Sequence, residues 1–224
     1  MNPYLFIHIP KTGGTSITRA LQRYGKCSNL RTTDNSAIGY YKNFDEQKHK
    51  YISMSHFNVE YLLSQEYFSR TYYDKAFKFC MVRNPWDRMV SAFYYLRTCE
   101  IGPERGTANE YYAAQNCEFS DFCKIIQDIS SPSPHQLKMD FVRPQTERIP
   151  LEIDYIGRFE SMDEEWNRIC KNIGTEPIHL RKENVNRKKS KHYSHYYDSA
   201  TVDVVADFYR SDINRFNYLF EESA

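Results

Sequence analysis

The sequence has no excess of either charge: 30 Lys and Arg stand against 29 Asp and Glu in 224 residues. A balance this close gives no overall field for a nucleic acid or a membrane surface, so any charge on a ligand has to be met by a local cluster. Long apolar runs are missing too. No uninterrupted stretch approaches a membrane span, and the N-terminus enters a strand pattern within four residues without the basic-plus-apolar run of a signal peptide. The expectation is a soluble, cytoplasmic protein with neither a nucleic-acid partner nor a membrane span. The six cysteines, at 27, 80, 99, 117, 123 and 170, form no C-x-x-C pair and no regular zinc-ligand spacing, which points to reduced, buried thiols. No internal repeat or low-complexity tract competes with an ordinary globular core.

What is present is an alternation of strand and helix patterns. "YLFIHI" (4–9) reads as a strand, and "GGTSITRALQRYG" as a helix closed by Gly25. "KYISM" (50–54) is a second candidate strand before a helical "NVEYLLSQEYF". "AFKFCMV" (76–82) is a third, and it feeds "NPWDRMVSAFYYLR". There Pro85 suits a first helical position, and Trp86, Met89, Val90, Phe93 and Tyr94 repeat at the spacing of a buried stripe. A capped helix is expected from Ser120, a fourth strand at 153–159, and a helix opened by a capping box of Ser161 with Glu164 and closed by Gly174. A basic segment, "RKKSKHY", precedes a last helical region from Ser199. This order predicts an α/β fold: a central parallel sheet flanked by helices, with ligands collecting at the carboxyl ends of the strands. Lys11–Ser16, His56 and Arg83 would all fall there.

The turn after the first strand, "PKTGGTS", has the makings of an oxyanion site. Gly13 and Gly14 let the backbone approach a ligand, and the helix starting beside them points N–H groups at it. Lys11 adds a positive charge, and Thr12, Thr15 and Ser16 add hydroxyls. The same residues also fit a loop whose glycines only make a turn and whose lysine is solvated. A Walker A loop places its lysine after the glycines, whereas here it comes before them, and no acidic residue closes a following strand as a magnesium-holding aspartate does. A ligand held without metal is therefore expected. In "CMVRNPWDRMVSAF", the polar side of the helical wheel carries Asn84, Asp87, Arg88, Ser91 and Tyr95, with Arg83 at the strand end just before. Arg83 and Ser91 could share one phosphate, and an amphipathic helix with a solvated polar face is the plainer alternative. Together the two motifs suggest a ligand with two phosphate groups.

"FIHIPKTGGTSI" resembles the 5′-phosphosulfate loop, and "FKFCMVRNPWDRMVSAF" the 3′-phosphate motif, of sulfotransferases that use 3′-phosphoadenosine 5′-phosphosulfate (PAPS). The likeness is nearest to the carbohydrate branch, which includes the heparan 2-O- and chondroitin sulfotransferases. It extends to "IDYIGRFESMDEEW" and the C-terminal region, leaving out roughly 97–140. The resemblance implies a P-loop NTPase-like sulfotransferase fold in one domain over 1–224. It implies that Lys11, Thr12, Gly13, Gly14, Thr15 and Ser16 cradle the 5′-phosphosulfate and that Arg83 and Ser91 take the 3′-phosphate. In the family a basic loop before the last helix closes over the cofactor. Arg187, Lys188, Ser190 and Lys191 match it here, and equally match a solvated charge run.

Sulfuryl transfer to a hydroxyl needs a base, a cation on the bridging oxygen of the leaving phosphate, and in-line placement. His56 follows the second strand, as the catalytic histidine does in the heparan 2-O-sulfotransferase-like enzymes, although a second histidine of some relatives is Met54 here. His56 also fits a capping or core imidazole. Lys11 is the candidate for the bridging oxygen. His8 reads as a hydrogen-bonded core residue, and His192 and His195 have no carboxylate or cysteine spacing that would make a metal site. For the acceptor, aromatic clusters such as "AFYYL" and "HYSHYY" could face sugar rings or pack in the core. Arg143, Gln145 and Arg148, in a segment that resembles acceptor-side loops, are candidate glycan contacts. The leading expectation is a metal-independent PAPS sulfotransferase acting on a carbohydrate, with 3′,5′-adenosine bisphosphate as product. A P-loop-type kinase and a non-catalytic binder of phosphorylated ligands are the alternatives.

Overall fold

The structure is a computed structural model that describes residues 2–24, 42–45, 50–53, 59–64, 69–98, 108–129, 141–181 and 191–223. In chain order its strands are β1 (Tyr4–Ile7), β2 (Lys42–Asp45), β3 (Lys50–Ser53), β4 (Phe77–Val82) and β5 (Tyr155–Arg158). Its α-helices are α1 (Gly14–Arg23), α2 (Val59–Ser64), α3 (Arg70–Lys75), α4 (Pro85–Thr98), α5 (Ala108–Asn116), α6 (Phe119–Lys124), α7 (Ile126–Ile129), α8 (Met162–Ile173), α9 (Ser199–Phe208) and α10 (Arg210–Phe216). The chain gathers into two compact units: Met1–Val82 with Arg148–Asn184, and Arg83–Glu147 with Val185–Ala224.

The first unit holds a parallel sheet in the order β1-β4-β5, with Phe6 opposite Phe79 and Val82 opposite Arg158. On one face Tyr4, Phe6, Phe79 and Met81 pack with Ile17 and Leu21 of α1 and with Trp166, Ile169 and Ile173 of α8. On the other, Leu5, Ile7, Cys80 and Val82 are buried as well. Strands covered on both faces read as near-continuous apolar runs, which is how "YLFI" and "FKFCMV" read. The one charge in that run, Lys78, is buried because its Nζ donates to the carbonyls of Tyr73 (3.2 Å) and Ala76 (2.9 Å) and pairs with Asp154 (3.2 Å). Paired in this way, a buried ammonium avoids most of its desolvation cost.

Two local expectations change here. The strand at 50–54 forms as β3, but it pairs antiparallel with β2, Asn43 opposite Ile52, in a separate two-stranded sheet. The connection over 46–49 is of hairpin length, whereas a parallel pair needs a crossover of a dozen or more residues. At α8 the expected box of Ser161 with Glu164 is not made. Ser161 occupies the N-cap without a capping bond, and its hydroxyl reaches Glu165 at 3.4 Å. The helix start is served instead by Asp163, Glu164 and Glu165 in its first turn. Gly174 closes α8 in the left-handed region, φ 71°, as its position predicts.

The second unit is helical among its described residues. Trp86, Met89, Val90 and Phe93 form the buried stripe of α4. The aromatic clusters turn out to pack: Phe93 against Phe119 (5.4 Å) and Phe122 (5.2 Å), Tyr94 against Tyr196 (5.3 Å), and Tyr197 against both Phe119 (5.0 Å) and Phe220 (5.6 Å). The polar side of α4 is not simply solvated. Arg88 is wholly buried, its Nη2 donating to the Phe141 carbonyl (3.0 Å) and its guanidinium lying 5.7 Å from the Tyr209 ring centroid. The helix expected from Ser120 begins a residue earlier with α6, N-capped by the backbone position of Glu118 without a side-chain bond, and it is interrupted before α7. The last helical region starts at Ser199 behind a full capping box of Asp198 with Thr201. Cys80, Cys117, Cys123 and Cys170 are free thiols. Among the described residues no helix is long and apolar enough to cross a membrane.

Candidate active site

The turn between β1 and α1 is shaped by two left-handed residues, Lys11 (φ 69°) and Gly13 (φ 81°). For lysine this is an uncommon conformation, and it persists because its neighbours are fixed. Thr12, wholly buried, donates its hydroxyl to the Ile9 carbonyl at 2.9 Å. Its side chain therefore braces the turn from inside. Gly13 serves as N-cap with no side-chain capping bond, and its carbonyl accepts from Ser16 N–H at 3.0 Å. The first turn of α1 has no acidic residue. A helix start without a capping side chain or a carboxylate has the electrostatic sign that suits an anionic ligand. Thr15 and Ser16 are half-buried on that first turn, and Lys11 is half-buried beside it.

The two glycines are constrained differently, Gly13 chiefly by its φ of 81°, which strains any L side chain, and Gly14 by the ring beside it. A Cβ on Gly13 would lie 2.3 Å from Met162 Cε and 3.1 Å from the Phe159 ring, and one on Gly14 would lie 2.1 Å from the imidazole of His8. His8 is thus not an ordinary core residue. It stands one position beyond β1, with its ring against the first residue of α1. Burial, and then the positive fields of Arg148 and Lys11, push its pKa from 6.5 down to about 4. Near neutral pH it is an uncharged imidazole and a weak base. Arg148, a candidate glycan contact in the sequence, is buried and acts electrostatically on this same histidine. The pattern "FIHIP" hides His8 inside an apparent strand, and nothing in the spacing of Arg148 links it to the turn.

The corner that follows β4 belongs to the second unit. Arg83 directs both Nε and Nη2 at Asp87 Oδ2, each at 2.7 Å, with side-chain exposure of 9% and 16%. Its backbone is held by Gln145, whose Oε1 accepts from Arg83 N–H (2.9 Å) and whose Nε2 donates to Arg83 O (2.9 Å). Asp212 completes the arrangement: it accepts from Gln145 N–H (2.8 Å), Gln145 Nε2 (3.1 Å) and Thr146 N–H (2.9 Å). Gln145 is wholly buried with both ends of its amide engaged. The expected glycan contact at this residue gives way to a structural one, which splices residue 145 to residue 83. Arg143 is partly exposed and pairs with Glu147 at 3.4 Å. Ser91 lies two turns along α4, half-buried. The i, i+4 spacing of Arg83 and Asp87 is visible in the sequence, whereas the Gln145–Asp212 support has no local signal.

Of the other candidates, Lys191 is exposed and its N–H reaches the Tyr196 hydroxyl at 3.4 Å. His56, Arg187, Lys188 and Ser190 lie outside the described residues. His192 and His195 bond to serine hydroxyls, Ser194 and Ser223, at 2.9 Å each.

A model of the sulfotransferase family matches residues 2–219, a span that runs through both units. Comparison with curated proteins finds no match. Among solved structures, the chain is similar to a sulfotransferase from Alicyclobacillus acidocaldarius, with 16% identity and a TM-score of 0.39 over 97% of this chain and 95% of that one.

Proposed function

Because the chain belongs to the sulfotransferase family, we propose that it moves the sulfuryl group of PAPS to a hydroxyl of a carbohydrate acceptor, without a metal ion. The observation that carries this reading is the first turn of α1. It has neither a side-chain cap nor an acidic residue, and it follows a lysine and a glycine held in the left-handed region. Backbone N–H groups and one cation make a cradle that fits a compact oxyanion.

In this reading Lys11, Gly13, Gly14, Thr15 and Ser16 hold the 5′-phosphosulfate, with Thr12 bracing the turn behind them, and Arg83 with Ser91 takes the 3′-phosphate. Arg187, Lys188, Ser190 and Lys191 close over the nucleotide. The bound donor supplies the sulfuryl group and departs as 3′,5′-adenosine bisphosphate. Lys11 meets the negative charge that grows on the leaving bridging oxygen. His56 takes the proton of the acceptor hydroxyl as that oxygen attacks sulfur. His8 is unsuited to that role, since its pKa near 4 leaves it too weak a base. Arg143 is the remaining candidate for an acidic sugar among the three acceptor-side residues, because Gln145 and Arg148 are buried.

The test is calorimetric titration of the full chain with 3′,5′-adenosine bisphosphate and with ATP–Mg²⁺. Preferential binding of the bisphosphate is expected, and a preference for ATP–Mg²⁺ would overturn the reading in favour of a kinase. With labelled PAPS and a glycan panel, His56→Ala is expected to keep bisphosphate affinity and lose turnover. Unchanged turnover would remove His56 from the base role.

A further inference from the structure

His8 fills the space beside Gly14. A Cβ on Gly14 would come within 2.1 Å of its Cδ2 and 2.2 Å of its Nε2, so a side chain at 14 and the ring at 8 exclude one another. The ring also stacks on Phe6, with centroids 5.7 Å apart and planes 18° from parallel. Phe6 in turn stacks on Phe79 of the central strand at 5.1 Å. A continuous column of rings therefore runs from β4 through β1 and ends on the backbone of the first residue of α1. The last ring in that column is uncharged near neutral pH, so it adds bulk beside Lys11 and Arg148 without adding a third positive charge.

We infer that His8 is a positioning residue of the anion turn: its imidazole, stacked on Phe6, sets how far Gly14 stands from β1 and hence where the first-turn N–H groups of α1 meet the 5′-phosphosulfate. The inference rests on the reading of that turn as the phosphosulfate site. A ring is suited to the task because it is rigid, and displacement of such donors by a fraction of an ångström is costly to a ligand held by them.

The experiment measures two ligands by calorimetry, 3′,5′-adenosine bisphosphate and adenosine 3′-monophosphate, which lacks the 5′ group. In the wild type the bisphosphate is expected to bind more tightly. Equal affinities would overturn the reading of the turn itself, and the inference with it. Given that preference, His8→Ala is expected to weaken the bisphosphate about tenfold while leaving the 3′-monophosphate unchanged. A merely structural histidine would lower thermal stability and weaken both ligands alike, or neither; either outcome overturns the inference and leaves the site assignment standing. The second arm is the pair Gly14→Ala and His8→Ala/Gly14→Ala. Removing the ring frees the volume that the new methyl needs, so the double variant is expected to bind the bisphosphate more tightly than Gly14→Ala alone. Additive losses would overturn the size-matching of the two residues. If His8→Ala does not fold, His8→Gln carries the same two-ligand comparison, with an expected selective loss smaller than tenfold.

Discussion

The two corners proposed to hold the anionic groups of the ligand are built in opposite ways. The turn after β1 is made of backbone: left-handed Lys11 and Gly13, an uncapped helix start, and side chains such as Thr12 and His8 that brace it from within. The corner at Arg83 is made of side chains: a guanidinium aimed by Asp87 and a backbone held by the amide of Gln145, which Asp212 holds in turn. A backbone site depends on shape and fails when an atom is added. A side-chain site depends on charge and hydrogen bonding and fails when a group is removed.

That contrast is broken most severely by adding one methyl to the turn. Gly13→Ala places a Cβ at φ 81° and 2.3 Å from Met162 Cε. The strain alone is worth about 1–3 kcal/mol, and bisphosphate affinity is expected to fall by more than about a hundredfold once the turn moves. Titration calorimetry with a parallel melting curve checks it, and near-wild-type affinity would show that the turn does not carry the ligand. At the other corner Arg83→Ala is expected to weaken the bisphosphate about ten- to a hundredfold, the worth of a charge-assisted hydrogen bond. Adenosine 5′-monophosphate, which lacks the 3′ group, should be unaffected by it. Asp212→Asn leaves affinity nearly intact and acts on stability. It replaces an acceptor of three N–H donors by a group with two donors of its own, at about 1–3 kcal/mol, readable by urea denaturation.

The smallest effect is one of pH. His8 titrates at about 4 when folded and at 6.5 when unfolded, so between those values the unfolded chain binds more protons. Its contribution to stability is complete above pH 6.5 and is lost as pH falls toward 4. Urea midpoints at pH 4.5 and 7.0 should differ less in His8→Gln than in the wild type. An equal difference would mean that His8 is not the group responsible.

Much of the architecture was readable from pattern. The apolar runs of β1 and β4, the stripe of α4 behind Pro85, and the glycine stop of α8 at Gly174 form at or within two residues of where period and cap chemistry put them. The turn from Lys11 into α1 also forms there, because lysine, two glycines and a helix start are contiguous in the chain. The misreadings share a cause, which is that their partners lie far away in sequence. β3 looked like a strand of the parallel sheet because its own residues cannot say which strand it pairs with. Gln145 looked like an acceptor contact because its partners, Arg83 and Asp212, are 62 and 67 residues distant. Arg88 falls on the polar side of the helical wheel, where a solvated face was one alternative, yet it is covered and bonded to the carbonyl of Phe141.

From residue order alone, the composition of the turn and the family likeness were already in place, since both rest on contiguous residues and local backbone preference. The neutral state of His8, the requirement for glycine at 14 and the burial of Arg148 came only with folding. Each arises when segments remote in the chain are brought close enough for steric exclusion, desolvation and Coulomb interaction to act between them.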